Sequence, residues 1–106
     1  MKSDPILREI VRRIRKEVRP QKIILFGSRA RGQARPDSDY DILVIKNTRR
    51  PWHTRTYGLY TALASIPAEV EVVVYTPGEV HEWENASRAF VTTAVREGKV
   101  LYEDKR

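Results

Sequence analysis

Gly27-Ser28-Arg29-Ala30-Arg31-Gly32 and, five residues further on, Ser38-Asp39-Tyr40-Asp41 decide how this chain is read. The first run follows an apolar stretch, Ile23, Ile24, Leu25 and Phe26; the second leads into another, Ile42, Leu43, Val44 and Ile45. Side chains of a strand alternate between its faces, so Asp39 and Asp41 project the same way with Cβ atoms roughly 6.5–7 Å apart. Two carboxylates so placed repel unless a cation lies between them, and a hard divalent ion accepts oxygen ligands at about 2.0–2.1 Å in the case of Mg²⁺. Gly27, with no Cβ, lets the backbone take a tight turn and approach a ligand closely. If Ser28 to Arg31 open a short helix, their free N–H groups, the helix dipole and the Ser28 hydroxyl favour an anion. Arg29 and Arg31 both raise the local positive potential, and spacing does not choose which of them faces that anion. A glycine–serine turn alone is usually only a turn, and Asp-x-Asp alone is usually solvated loop. In this order, between two strands, they form a layout for a triphosphate and its Mg²⁺.

The charge of the chain lies elsewhere. Of its 106 residues 20 are Lys or Arg and 14 Asp or Glu, a formal net charge of +6 with a pI near 9.9. Much of that charge falls on a first helix, where Asp4 is the expected N-cap and Pro5 the first helical residue. Ile6, Leu7, Ile10, Val11, Ile14 and Val18 recur there at helical spacing. Arg8, Arg12, Arg13, Arg15 and Lys16 take the other faces, as a solvated surface or as a dock for an acidic partner. No aromatic residue is interleaved to stack bases, so direct nucleic-acid binding is not expected. The chain has no cysteine, hence no disulfide framework or thiolate metal site. It has no apolar run near membrane length and no leader-like start, so no membrane association and a cytoplasmic location are expected.

The remaining chain reads as one continuous domain over 1–106. Trp52 to Ile66 is expected as a helix with Leu59, Tyr60, Leu63 and Ala64 toward the core, and Val70 to Tyr75 as a strand. Glu79 to Glu97 is expected as one or two helices, stopped by Gly98, and Val100 to Tyr102 as a short strand or tail. Trp52, Tyr57, Tyr60 and Trp83 are expected to pack the core; His53 and His81 have no metal-ligand spacing and are expected at the surface. Glu69 and Glu71, at the start of the Val70 strand, share a face by period two, and geometry does not separate them.

The segment from Phe26 to Val44 resembles the signature of the nucleotidyltransferase superfamily that includes DNA polymerase β, and most closely its small prokaryotic branch, the minimal nucleotidyltransferases. That branch shows Gly-Ser-x-Ala-Arg-Gly, five variable residues, then Ser-Asp-x-Asp-Leu. Gly27, Ser28, Ala30, Arg31, Gly32, Ser38, Asp39 and Asp41 match, and Ile42 replaces the leucine. The resemblance implies an α/β sandwich, a small mixed sheet in strand order 1-2-3 with helices on one side. It also implies a third acidic residue followed by an apolar run and Thr-Pro, which selects Glu71, with glutamate in place of the commoner aspartate. Asp39, Asp41 and Glu71 would then hold two Mg²⁺ ions, while Gly27, Ser28, Arg29, Arg31 and Ser38 would contact the nucleotide. The implied activity is transfer of a nucleoside monophosphate, AMP from ATP, to a hydroxyl of a partner. Similar small proteins act as antitoxins beside a helical HEPN-type ribonuclease. The rival within the same resemblance is a binding module that masks such a toxin sterically with a vestigial site.

Overall fold

Asp4 sets the start of the first helix: its Oδ1 accepts from the N–H groups of Ile6 and Leu7 at 3.0 and 3.1 Å, which satisfies two of the donors a helix start leaves free. The computed structural model describes residues 4–84 and 90–104. Helix α1 runs Pro5–Val18 and strand β1 Lys22–Phe26, followed at once by a four-residue helix α2, Gly27–Ala30. Strand β2 is Tyr40–Ile45, helix α3 Tyr57–Leu63 and strand β3 Val70–Tyr75. Helices α4, Pro77–Trp83, and α5, Phe90–Glu97, lead to strand β4, Lys99–Glu103.

The sheet has four strands in the order β3-β2-β1-β4. β1 is antiparallel to both β2 and β4, and β2 is parallel to β3, so the sheet is mixed as expected. The terminal segment is a strand beside β1, with a register shift between Ile23 and Ile24. Gly98 makes the turn into it: a Cβ there would stand 2.4 Å from Ile24 Cγ2 and 2.7 Å from the Leu25 carbonyl oxygen.

Both faces of the sheet are covered, not one. On the first, Leu7, Ile10 and Ile14 of α1 and Leu59 and Leu63 of α3 close over Ile23, Leu25, Ile42, Val44, Val72 and Val74. On the second, Val91 and Ala94 of α5 pack on Ile24, Leu43 and Ile45, with Phe26, Val73, Tyr75 and Val80 around them. Alternation dictates this, because all of Ile23 to Leu25 and Ile42 to Ile45 are apolar and a strand buried on both sides needs a layer on each.

Three helical expectations change. The Trp52–Ile66 helix splits into a 3₁₀ turn, Trp52–Thr54, and α3. Leu59 and Leu63 are buried, whereas Tyr60 and Ala64 are exposed. Trp52, Tyr57, Tyr60 and Trp83 do not pack the core: they are 40–63% exposed, the first three because two short elements leave no continuous inward stripe, and Trp83 at the last residue of α4. The Glu79–Glu97 segment forms two helices, and its residues 85–89 lie outside the described residues. His53 and His81 are on the surface as expected. No described helix is long and apolar enough to cross a membrane.

β3 is an edge strand, and edges invite unwanted pairing unless they are covered. Tyr60 and Arg55 cover this one. Val72 N–H donates to the Tyr60 hydroxyl at 2.9 Å, and Arg55 Nη1 donates to the Val74 carbonyl at 3.3 Å.

Candidate active site

A row of side chains crosses the second face of the sheet. Phe26 of β1 stands directly opposite Asp41 of β2, and Asp41 directly opposite Glu71 of β3. Residues opposite one another in neighbouring strands share a face, so one aromatic ring and two carboxylates lie side by side. Asp39 immediately precedes β2 and is exposed. Glu69 lies just outside β3, where its carbonyl accepts from Tyr40 N–H at 2.9 Å.

The turn after β1 is cut to fit Asp41. Gly27 has φ +76°, and a Cβ on it would stand 2.2 Å from Asp41 Oδ2. Any other residue would be strained in its backbone and would drive into the carboxylate. Gly27 opens α2, one residue earlier than Ser28, and Arg31 caps its end.

The two arginines, which the sequence could not separate, make different contacts. Arg29 donates through Nε and Nη2 to the Ser38 carbonyl at 3.1 and 2.8 Å and through Nη2 to the Pro36 carbonyl at 3.3 Å. Its guanidinium lies 3.9 Å over the Tyr40 ring. The Ser38 hydroxyl accepts from Arg35 N–H at 2.8 Å. Arg29 and Ser38 are therefore engaged in shaping the loop that delivers Asp39. Arg31 is exposed, hydrogen-bonded through Nε to Gln33 Oε1 at 3.1 Å, and its charge acts on Asp41.

The electrostatics of Asp41 are unbalanced. Burial raises its pKa above the ordinary aspartate value, the negative charges of Asp39 and Glu71 raise it further, and Arg31 offsets them in part. A carboxylate so placed is stabilised by an added cation, and an all-oxygen donor set suits a hard one such as Mg²⁺. Among the described residues no three His, Cys, Asp or Glu side chains converge into a preformed metal cage. Asp41 and Glu71 are brought together by register.

Other features of the site were not visible in the sequence. Phe90, the first residue of α5, meets Phe26 edge-on with ring centroids 5.1 Å apart. With Gly27 and Arg31 these rings border a hollow of about 100 Å³ beside the turn. The pairing joins residues 64 positions apart and had no local signal. A larger cavity, about 550 Å³, takes Ser38, Tyr40 and Glu69 in its wall but neither Asp41 nor Glu71. It opens toward α1 and α3 and is separate from the carboxylate row.

The family model for the polymerase β nucleotidyltransferase domain matches residues 8–106. The chain belongs to that family. This nucleotidyltransferase domain is also similar to a toxin–antitoxin chain crystallised with AMP-PNP, at 26% identity and a TM-score of 0.65 over 92% of this chain and 73% of that one. A mutant of the toxin–antitoxin pair MntA-HpeT contains a chain 25% identical to it, with a TM-score of 0.63 over 98% and 76% of the two chains. A protein from Sulfolobus solfataricus named as a nucleotidyltransferase shares the fold, with a TM-score of 0.58 at 19% identity over 99% and 93%. No curated protein matches the sequence.

Proposed function

We propose that this nucleotidyltransferase domain transfers AMP from ATP to a hydroxyl group of a partner protein, as the antitoxin of a pair whose toxin is a helical HEPN-type ribonuclease. The observation that carries this reading is the carboxylate row: Asp41 seated on Gly27, aligned with Glu71 and unbalanced by like charges. The AMP-PNP complex of a similar toxin–antitoxin chain supports ATP as the donor and a toxin as the partner.

In this reading Asp39, Asp41 and Glu71 would hold Mg²⁺, which would supply positive charge to neutralise the phosphates. The protein's own groups do the rest. Gly27 keeps the backbone clear for the triphosphate, and the Ser28 hydroxyl and the N–H groups of the turn donate to its oxygens. Arg31 supplies positive charge beside them. Arg29 and Ser38 act through the loop that carries Asp39. The acceptor oxygen bonds to the α-phosphorus as the bond to the β-phosphate oxygen breaks, pyrophosphate leaves with that electron pair, and the acceptor proton passes to a carboxylate oxygen of Glu71. Positioning and charge neutralisation supply most of the acceleration.

The chain alone is expected to be nearly inactive. Mixed with a HEPN-type partner, ATP and Mg²⁺, it should add AMP units to that partner, detected by intact mass. Asp41→Asn should abolish the mass gain while the complex still forms, and it should weaken Mg²⁺-dependent ATP binding by about a hundredfold, roughly 2.8 kcal/mol. Tight association with no mass gain, together with toxin neutralisation that survives Asp39→Asn/Asp41→Asn, would replace transfer by steric masking.

A further inference from the structure

We propose that Tyr60 is a positioning residue for Glu71, one that fixes which oxygen of that carboxylate faces the site; the inference rests on the reading of Glu71 as a cation-holding group. Tyr60 stands on α3, which packs on the first face of the sheet, yet its hydroxyl reaches round the free edge of β3. There the Val72 N–H donates to it at 2.9 Å. The hydroxyl's single proton then has two acceptors at nearly equal distance, Glu71 Oε2 at 3.2 Å and the Val72 carbonyl at 3.3 Å.

The ring is 40% exposed, and Leu59 and Leu63 supply the buried contacts of the same helix, so core packing does not explain its position. Glu69, on the same face by alternation, has no such side-chain partner among the described residues. Glutamate has one more rotatable bond than aspartate, and an exposed glutamate beside Asp41 gains by swinging away from the like charge. Holding Oε2 at the strand edge removes that freedom and leaves Oε1 as the ligand atom. Carboxylates that bind a cation are commonly fixed in this way through their second oxygen. When Glu71 adjusts to an incoming ligand, the hydroxyl turns its hydrogen bond to the Val72 carbonyl and stays paired.

Mn²⁺ titrated into the full chain in the presence of AMP-PNP, followed by the electron paramagnetic resonance signal of the free ion, tests this. Tyr60→Phe keeps the ring and should weaken Mn²⁺ binding about tenfold. Glu71→Gln should weaken it at least as much, and the double variant no more than Glu71→Gln alone. Wild-type Mn²⁺ affinity in Tyr60→Phe overturns the proposal, as does an equal further loss in the Glu71→Gln background, because a merely structural tyrosine would act whether or not the carboxylate is present. If Glu71→Gln itself binds Mn²⁺ as the wild type does while Asp41→Asn does not, the reading of Glu71 falls and the role of Tyr60 falls with it.

Discussion

The two faces of the sheet are built differently. Under α1 and α3 the core is aliphatic and closed: Ile10, Ile14, Ile23, Ile42 and Leu59 are all at most 1% exposed. On the other side α5 covers a smaller patch, Phe90 and Trp52 stay about half exposed, and the rings of Phe26, Phe90, Tyr75 and Trp52 form a chain along the surface. The carboxylates divide in the same way. Glu9, on α1, bonds to Arg12 and Arg13, which hold its pKa down to about 2. Asp41, on the open face, is pushed the other way by burial and by like charges. A chain so rich in arginine neutralises Glu9 and leaves Asp41 with only the partial offset of Arg31, while most of the buried apolar core lies on the closed face.

The largest effect expected from that division is on stability. Ile10→Ala removes a fully buried side chain from the closed face and should cost about 2–5 kcal/mol, a large share of the roughly 5–15 kcal/mol that holds a domain of this size together. The nucleotide affinity of the molecules that remain folded should not change. Asp41→Asn should do the reverse: without Mg²⁺ it should melt no lower than the wild type, because it removes a charge that the fold destabilises. A thermal melt and a binding isotherm on each variant check both. Asp41→Asn melting well below the wild type would mean that the site also supports the fold.

Much of the closed face was legible because its signals are local. Asp4-Pro5 announced α1, the period of its isoleucines announced its buried side, and the two apolar runs announced β1 and β2. The candidate site was marked locally too, since Gly27 and Asp41 belong to one short signature. What the sequence did not contain was contact between distant segments. The alignment of Glu71 with Asp41 needed the parallel register of β2 and β3, and the different contacts of Arg29 and Arg31 needed the loop at 36–38. Helical spacing placed Tyr60 in the core, but its hydroxyl is satisfied by a strand edge whose position no local pattern encodes. The same holds for the break at residues 55–56, where Arg55 turns toward Glu79 of α4.

That arginine offers a smaller test of how the open face is held. Its guanidinium donates to both Glu79 oxygens at 2.7 and 3.1 Å and to the Val74 carbonyl, while Glu79 and Thr76 form a reciprocal cap on α4. With little apolar core on this side, polar links of this kind carry more of the load. Arg55→Ala should cost about 1–3 kcal/mol, seen as a lower denaturant midpoint with an unchanged slope. Hydrogen exchange should rise in α4 and along the outer edge of β3 but not in α1. Arg55 holds the pKa of Glu79 down, so this contribution is present above the ordinary glutamate range and is lost as pH falls through the depressed value. A uniform rise in exchange across both faces would show that they unfold as one unit and that the division is not energetic.

The smallest effects should differ in sign. For Glu9 the folded pKa lies below its unfolded value, so the carboxylate stabilises the protein above the ordinary glutamate range and that stabilisation fades as pH falls toward about 2. Glu9→Gln should therefore be slightly less stable than the wild type at neutral pH and indistinguishable from it in strong acid. Being exposed, the pairing should weaken in high salt. For Asp41 the folded pKa lies above its unfolded value, so ion-free stability is fully present below the ordinary aspartate range and is lost as pH rises through the raised value. Asp41→Asn should match the wild type in acid and exceed it at neutral pH. Urea melts of the two variants without Mg²⁺, at steps from about pH 3 to pH 7, should give difference curves that open in opposite directions as pH rises. Curves of the same sign would mean that Asp41 already has a compensating partner in the fold, and the case for a cation at that carboxylate would lose its electrostatic basis.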